Sequence, residues 1–307
     1  MSSLTDTVQL PVAPNVAPVH IPRFGLGVYE SEGQDCYNSV LWALEAGYRL
    51  IEFVIPSTAY KRKVRLIHYN SLRTSSAEWY ENEEESGKAI RDFMAKSGTP
   101  RSEIFYTTKL KHNLGYDHAK KAIRKSLKLA GLDYIDLYLI HAPYPNEKAR
   151  LDCWRAIEDA IAEGVILTAG VSNWGIRHLE QLYSAGVKVP IAVNQMDLHP
   201  FMRRHELVEY CESKGIILEA WAPLVRGLRF EHPALVKLAK KYNKSTAQIL
   251  IRWGLQKNFV VIPKSIKRQR VEENSRVFDF VMTQEDMETL EELDEHLVTD
   301  WDPSDSM

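Results

Sequence analysis

The chain has 307 residues, 45% of them hydrophobic, which is enough to bury a large core in one or two domains. Its formal net charge of −2 provides no global field to attract nucleic acid or a membrane surface. No apolar run approaches the ~18 residues of a membrane span and no signal-peptide pattern opens the chain, so a cytoplasmic protein is expected. Three scattered cysteines, Cys36, Cys153 and Cys211, lack CxxC spacing and read as buried thiols in a reducing compartment.

Residues 1–20, polar with recurrent Pro and Val, read as a tail or a short hairpin closing one end of the fold, with residues 21–307 as its body. Phe24–Val28 then reads as a strand, Asp35–Ala46 as a helix and Tyr48–Ile51 as a strand. Further on, helices are predicted over Glu83–Ala95, Asp117–Leu129, Asp152–Ala162, His178–Ser184, Arg204–Ser213 and Thr246–Gln256. Between them fall strands at Ile104–Thr107, Tyr134–Ile140, Ala169–Val171, Ala192–Asn194, Ile217–Glu219 and Val260–Ile262. Most strands are continuously apolar, as parallel strands covered on both faces are. Asp117 and Thr246 stand where helix N-caps belong, and Gly47, Gly131, Gly186 and Gly215 where helices stop. Eight strands in steady alternation predict a single-domain (β/α)8 TIM barrel. An open doubly wound sheet fits less well, because Gly25-Leu26-Gly27 sits inside an apolar run with no third glycine after it.

One stretch breaks the rhythm. After the second strand, residues 53–75 show no clear period and carry Lys61, Arg62, Lys63, Arg65 and Arg73 without an acidic residue. Lengthening a loop this much costs only about 1.5 kcal/mol in closure entropy, so the fold is expected to survive it.

Reactive side chains of such a barrel project from the C-terminal ends of strands. Glu52, Lys109 and His141 stand at such ends, and Tyr80 shortly precedes a helix. A Tyr, a Lys and a His suit carbonyl reduction. The developing alkoxide needs a proton, and a cation within ~4–6 Å lowers a phenol pKa by roughly 1–3 units towards working pH. Periodicity alone leaves a structural role for each residue open. The scattered histidines show no metal-ligand spacing, so no metal is expected.

Longer motifs sharpen this reading. Gly47-Tyr48-Arg49-Leu50-Ile51 and Ala77-Glu78-Trp79-Tyr80-Glu81-Asn82-Glu83 resemble two halves of the aldo-keto reductase signature around its catalytic Asp and Tyr. Thr107-Thr108-Lys109-Leu110 resembles the strand bearing the family's Lys, and Asp133 through His141 the one bearing its His. Gly170-Val171-Ser172-Asn173, Asn194-Gln195 through His199-Pro200, and Ile262 through Ser265 with Arg270, Glu273 and Asn274 complete the set in order.

The resemblance implies an NADP(H)-dependent oxidoreductase interconverting aldehydes or ketones with alcohols. Tyr80 would be the general acid, Lys109 its pKa-lowering partner and His141 the group orienting the carbonyl. Ser172, Asn173 and Gln195 would bind the nicotinamide carboxamide, and Trp221, with Pro223 and Leu224 after it, would flank the ring. Lys264, Ser265 and Arg270 would hold the 2′-phosphate, while Glu273 and Asn274 would reach the adenine. Val28, Tyr29, Trp79, Lys111, His112, Tyr144 and Trp174 would line the substrate pocket, and a monomer is implied. A catalytically weak NADP(H)-binding sensor or regulatory module is the alternative function.

The chain departs from the family at one point. The signature expects Asp directly after Ile51; here Glu52 follows, and the motif resumes only at Ser76-Ala77. Replacing residues 52–75 by a single Asp restores the pattern without a gap. Glu52-Phe53-Val54 can be encoded GAG-TTT-GTN and Ser75 as AGC or AGT, so removing a GT…AG intron would leave an Asp codon. The segment is therefore expected to be a translated, retained intron or a gene-model error; a genuine insertion with Glu52 in place of Asp is the other possibility. Glu52 would either stand in for Asp, one methylene too long, or be pulled away and leave Lys109 unpaired. The expectation is retained cofactor binding and strongly reduced turnover.

Overall fold

In a computed structural model the chain is described for residues 3–14, 16–52 and 82–306. Residues 53–75, and with them Trp79 and Tyr80, lie outside the described residues.

The first segment is a hairpin, not a tail. Strands β1 (Thr7–Leu10) and β2 (Val19–Pro22) pair antiparallel, with Leu10 opposite Val19 and Thr7 opposite Pro22. Eight parallel strands follow: β3 (Gly25–Gly27), β4 (Leu50–Glu52), β5 (Phe105–Leu110), β6 (Ile135–Ile140), β7 (Ile166–Ser172), β8 (Val193–Asp197), β9 (Ile217–Trp221) and β10 (Val260–Val261). Their order in the sheet is their order in the chain. The ring closes where Val261 N–H donates to Arg23 O at 2.9 Å and Gly27 N–H to Pro263 O at 3.2 Å. This is the (β/α)8 barrel expected from the alternation.

The ten helices among the described residues are α1 (Gly33–Glu45), α2 (Glu83–Ser97), α3 (Tyr116–Ala130), α4 (Glu147–Ala162), α5 (Ile176–Ser184), α6 (His205–Ser213), α7 (Pro233–Tyr242), α8 (Thr246–Gln256), α9 (Arg268–Asn274) and α10 (Gln284–Glu291). Two predicted caps are corrected. Helix α3 is preceded by Gly115, which leaves Asp117 inside its first turn. Ser245, not Thr246, caps α8: its hydroxyl accepts from Gln248 N–H while the Gln248 side chain accepts from Ser245 N–H. Helix α7 escaped the sequence reading although Pro233 opens it and Asn243 ends it in the left-handed region.

Apolar side chains form two compartments. Between sheet and helices lie large residues such as Trp154, Trp253, Tyr106 and Ile249. Inside the barrel, Leu50, Phe105, Leu137, Leu139, Val193 and Val260 pack against Leu10, Val19 and Ile21, so the hairpin plugs the N-terminal end. A fully buried aliphatic or aromatic side chain of this kind stabilises by about 1.5–3 kcal/mol. Strand alternation continues the inward face upward from this apolar floor. Leu50 is followed inward by Glu52, Phe105 by Thr107 and Lys109, and Ile217 by Glu219 and Trp221. The barrel is thus apolar at its plugged end and ionisable towards the C-terminal ends of its strands.

A candidate active site at the C-terminal face of the barrel

The floor of the site is a chain of hydrogen bonds across five strands. Glu52 Oε1 on β4 pairs with Lys109 Nζ on β5, and neither side chain is reached by solvent. The same oxygen accepts from Gln195 Nε2 on β8 at 2.9 Å, while Glu52 Oε2 has no hydrogen-bond partner among the described residues. Gln195 O accepts from the Ser172 hydroxyl at 3.1 Å, and Ser172 Oγ lies 3.0 Å from Asn173 Nδ2. Asn173 Oδ1 accepts from Trp221 Nε1 at 2.9 Å. Asn173 takes a φ of 63°, a left-handed conformation asparagine tolerates, and its amide also donates to His141 O at 3.1 Å. Burial pushes the Glu52 carboxyl above its ordinary value, against the opposing pull of the Lys109 ammonium and the two amide and ammonium hydrogen bonds.

Of the two outcomes expected for Glu52, the structure therefore has the first. The residue stands against Lys109, and the expectation of an unpaired lysine is corrected: the extra methylene is accommodated, and the carboxylate reaches Gln195 as well.

His141, at the end of β6, keeps an edge on the cleft. Burial and then the charge of Lys109 lower its pKa to about 3, so the ring is neutral at working pH. The C-terminal segment folds across it. Trp301 stands edge-on to His141 at 6.0 Å between ring centroids and stacks on Tyr144 at 6.1 Å. This strap is tied down by Asp197, whose Oδ2 accepts from Thr299 N–H and hydroxyl at 3.0 and 2.9 Å. Tyr29 OH donates to Asp300 at 3.2 Å, and Arg226 lies 3.7 Å from Asp300 and 3.5 Å from Glu30.

These groups surround a cleft of about 530 Å³. Ser172, Asn173, Gln195, Trp221, Pro223, Leu224, Lys264, Ser265, Arg270, Glu273 and Asn274 all line it, although they come from β7, β8, β9 and three separate loops and helices. Glu52, His141 and Tyr29 line it too, with Lys109 packed directly behind Glu52. One end of the cleft is thus amide- and hydroxyl-rich beside an indole. The other carries Lys264 and Arg270, with burial lowering the pKa of Lys264.

Five expected pocket residues are not part of this wall. Val28 is fully buried, and Trp174 is a core tryptophan with His178 at its edge and the Arg150 guanidinium 5.9 Å from its ring. Tyr144 stacks on the cleft residue Trp301 without lining the cleft itself, and Lys111 and His112 lie outside the lining while their charges act on His141. The sequence reading missed Arg226, Phe230, Ser245, Thr246, Asp300 and Trp301. Trp301 had a signal, being a lone large aromatic residue in the polar run Thr299-Asp300-Trp301-Asp302. Cys36, Cys153 and Cys211 are buried and take no part.

Among the described residues no helix is long and apolar enough to cross a membrane, and no group of His, Cys, Asp and Glu is arranged to hold a metal ion. Comparison with known proteins bears on the same site. The Aldo/keto reductase family matches residues 41–295. An uncharacterized oxidoreductase of Schizosaccharomyces pombe is 42% identical over 92% of this chain and 93% of its own length. The glyoxal reductase of Bacillus subtilis is 40% identical over 95% and 94%. Among solved structures, an aldo-keto reductase enzyme from a Medee basin deep-sea metagenome library superposes with a TM-score of 0.80 at 37% identity, covering 95% of this chain and 97% of that one. With its barrel and the order of its motifs, the chain belongs to the aldo/keto reductase family of oxidoreductases.

Proposed function

We propose that the protein is an NADP(H)-dependent oxidoreductase interconverting aldehydes or ketones and alcohols. The observation that carries this reading is the convergence of eleven residues, scattered over a hundred positions, on one cleft whose floor holds Glu52, Lys109 and His141. The residues fit the cofactor. Ser172, Asn173 and Gln195 present hydroxyl and amide groups suited to a carboxamide, and Trp221 offers an indole beside them. Lys264 and Arg270 suit a phosphate dianion at the far end. When bound, the cofactor supplies a hydride.

The protein's own groups do the rest. Neutral His141 donates a hydrogen bond that orients the carbonyl. Tyr80 delivers the proton to the developing alkoxide, and Lys109 eases that transfer by favouring the phenolate. Glu52 holds Lys109 in place. Its hold on Gln195 is a competing demand, because the Gln195 amide is needed for the carboxamide.

Residues 53–75, read as a retained intron, separate Glu52 from Tyr80 along the sequence, where the family signature keeps the two close. Misplacement by ~1 Å costs on the order of 100-fold in rate, so cofactor binding persists while turnover falls. The test is NADPH oxidation with a panel of aldehydes, comparing the chain with a version in which residues 52–75 become one Asp. Turnover by the repaired version alone supports the whole reading. Equal turnover by both removes the claim of impairment. NADPH binding without turnover in either favours the sensor module. Genomic DNA lacking GT and AG at the segment's edges would sink the intron assignment.

A further inference from the structure

The barrel interior holds an ionisable group that this chemistry does not use. Glu219 on β9 is fully buried and points inward between Ile217 and Trp221. Among the described residues neither of its oxygens has a partner at hydrogen-bond distance and angle. Gln195 lies opposite it in the β8–β9 register; its amide donates to Glu52 at 2.9 Å and exerts a smaller pull on Glu219. Among the described residues the charged groups acting on Glu219 are Glu52 from β4 and Lys109 from β5. Neighbouring β8 adds the neutral Gln195, and β10 adds only Val260 and Val261. Two carboxyls therefore share one ammonium in a layer closed to solvent.

Such a layer leaves one carboxyl protonated near neutrality, because two buried like charges cannot both be offset by one cation. Glu52 accepts from Lys109 Nζ itself as well as from Gln195 Nε2, whereas Glu219 makes no ion pair with Lys109, so the proton resides on Glu219. Burial and then the Glu52 carboxylate push the Glu219 pKa up to about 8.

We propose that Glu219 is a proton-carrying residue beneath the nicotinamide end of the cleft, whose ionisation makes the site prefer the oxidised cofactor over the reduced one. The inference rests on the NADP(H) reading above. With Glu219 protonated, Lys109 and Glu52 cancel and the layer is neutral. Once Glu219 ionises, the layer carries one negative charge. The oxidised nicotinamide ring is cationic and the reduced ring neutral, whereas the phosphates and adenine are common to both and cancel in the ratio of affinities. At an effective dielectric near 20, one unit charge in the layer beneath the ring changes that ratio on the order of 10-fold. By linkage, oxidised cofactor bound near the Glu219 pKa expels part of a proton, and reduced cofactor does not.

The test is binding, not turnover. NADP+ and NADPH are each titrated calorimetrically into the full chain between about pH 6.5 and about pH 9.5, a span bracketing a carboxyl so perturbed. The ratio of dissociation constants, NADPH over NADP+, is expected to rise on the order of 10-fold across this range, and Glu219→Gln to flatten it at its low-pH value. Titration in two buffers of unlike ionisation enthalpy is expected to show proton release with NADP+ alone, and needs no variant. A flat ratio with no proton release overturns the proposal, as does a rise that persists unchanged in a folded Glu219→Gln. Failure to bind either form overturns the NADP(H) reading itself, and this inference with it.

Discussion

The indole of Trp301 stands edge-on to the imidazole of His141, with ring centroids 6.0 Å apart and planes at 79°. The contact joins the end of β6 to a C-terminal strap that no barrel strand requires. Because Trp301 also lines the cleft and stacks on Tyr144, it forms wall as well as cover. Trp301→Ala should raise KM for bulky aromatic aldehydes about 10-fold, the equivalent of ~1.4 kcal/mol, with little change for small aldehydes. Steady-state kinetics on the two classes in the repaired chain checks this. An equal effect on both would mean that Trp301 orders the strap and does not contact substrate.

The state of His141 makes a second prediction. Its pKa is lowered to about 3 by burial and by the nearby positive charges of Lys109, His112 and Lys111, partly opposed by Asp300. The ring thus stays neutral as pH falls through the range where an exposed histidine, pKa near 6.5, becomes charged. The acid limb of kcat/KM should contain no ionisation from His141 between about pH 5 and pH 8, and NMR of the ring should show a flat titration there. A ring that titrates near 6.5 would refute the assignment.

Gly87 faces the backbone of the neighbouring helix. A Cβ on it would stand 2.0 Å from Ala130 O, at the contact of α2 with the end of α3. Neither helix can yield without moving the strand it covers. Gly87→Ala should destabilise by about 1–3 kcal/mol despite alanine's better helix propensity, measured as a lower urea midpoint with unchanged slope.

These cases mark what the sequence could and could not disclose. Strand order and the parallel ring followed from periodicity, because parallel strands buried on both faces leave continuous apolar runs such as Leu137–Ile140. The shared lining of the cleft was expected only through motif resemblance; nothing in local composition says that Ser172 and Lys264 meet. Trp174 shows why such carrying-over has limits. It was expected to line the pocket, but β7 ends at Ser172 and the left-handed turn at Asn173 takes the chain off the strand, so Trp174 packs against Arg150 and His178. The Glu52 pairing was illegible for a different reason. Whether a carboxylate one methylene longer reaches a lysine depends on backbone positions of β4 and β5 that sequence spacing does not contain. The strap was missed because Thr299 through Trp301 form no regular element and are held by side chains of distant Asp197 and Tyr29.

Asp286 offers a pH test of stability away from the cleft. Burial would raise its pKa, but hydrogen bonds from Lys241, Tyr242 and Thr283 outweigh that and hold it down to about 2. A carboxyl depressed in the folded state stabilises it fully above its unfolded pKa near 3.9, and loses that contribution as pH falls through the folded value. Lys241 is half exposed, and solvent screening reduces the effect to about 1–2 kcal/mol. Asp286→Asn should therefore be less stable than the parent at neutral pH. The difference should shrink between about pH 4 and pH 2, as followed by urea unfolding at several pH values.

The buried pair Glu52 and Lys109 gives the sharpest stability prediction. Removing the ammonium alone, in Lys109→Met, leaves Glu52 buried with Gln195 as its one remaining hydrogen-bond donor among the described residues. An uncompensated buried charge of this kind costs about 3–5 kcal/mol, unless the carboxyl takes up a proton and forfeits part of that cost. Glu52→Gln alone should cost less, because Glu219, no longer facing a second carboxylate, can ionise and partly offset Lys109. The double variant removes both charges and should recover much of the loss, giving a coupling of about 1–3 kcal/mol in a double-mutant cycle. Urea unfolding of the four proteins decides it. Simple additivity would mean that the two side chains do not hold each other, and that another group carries the charge of Lys109.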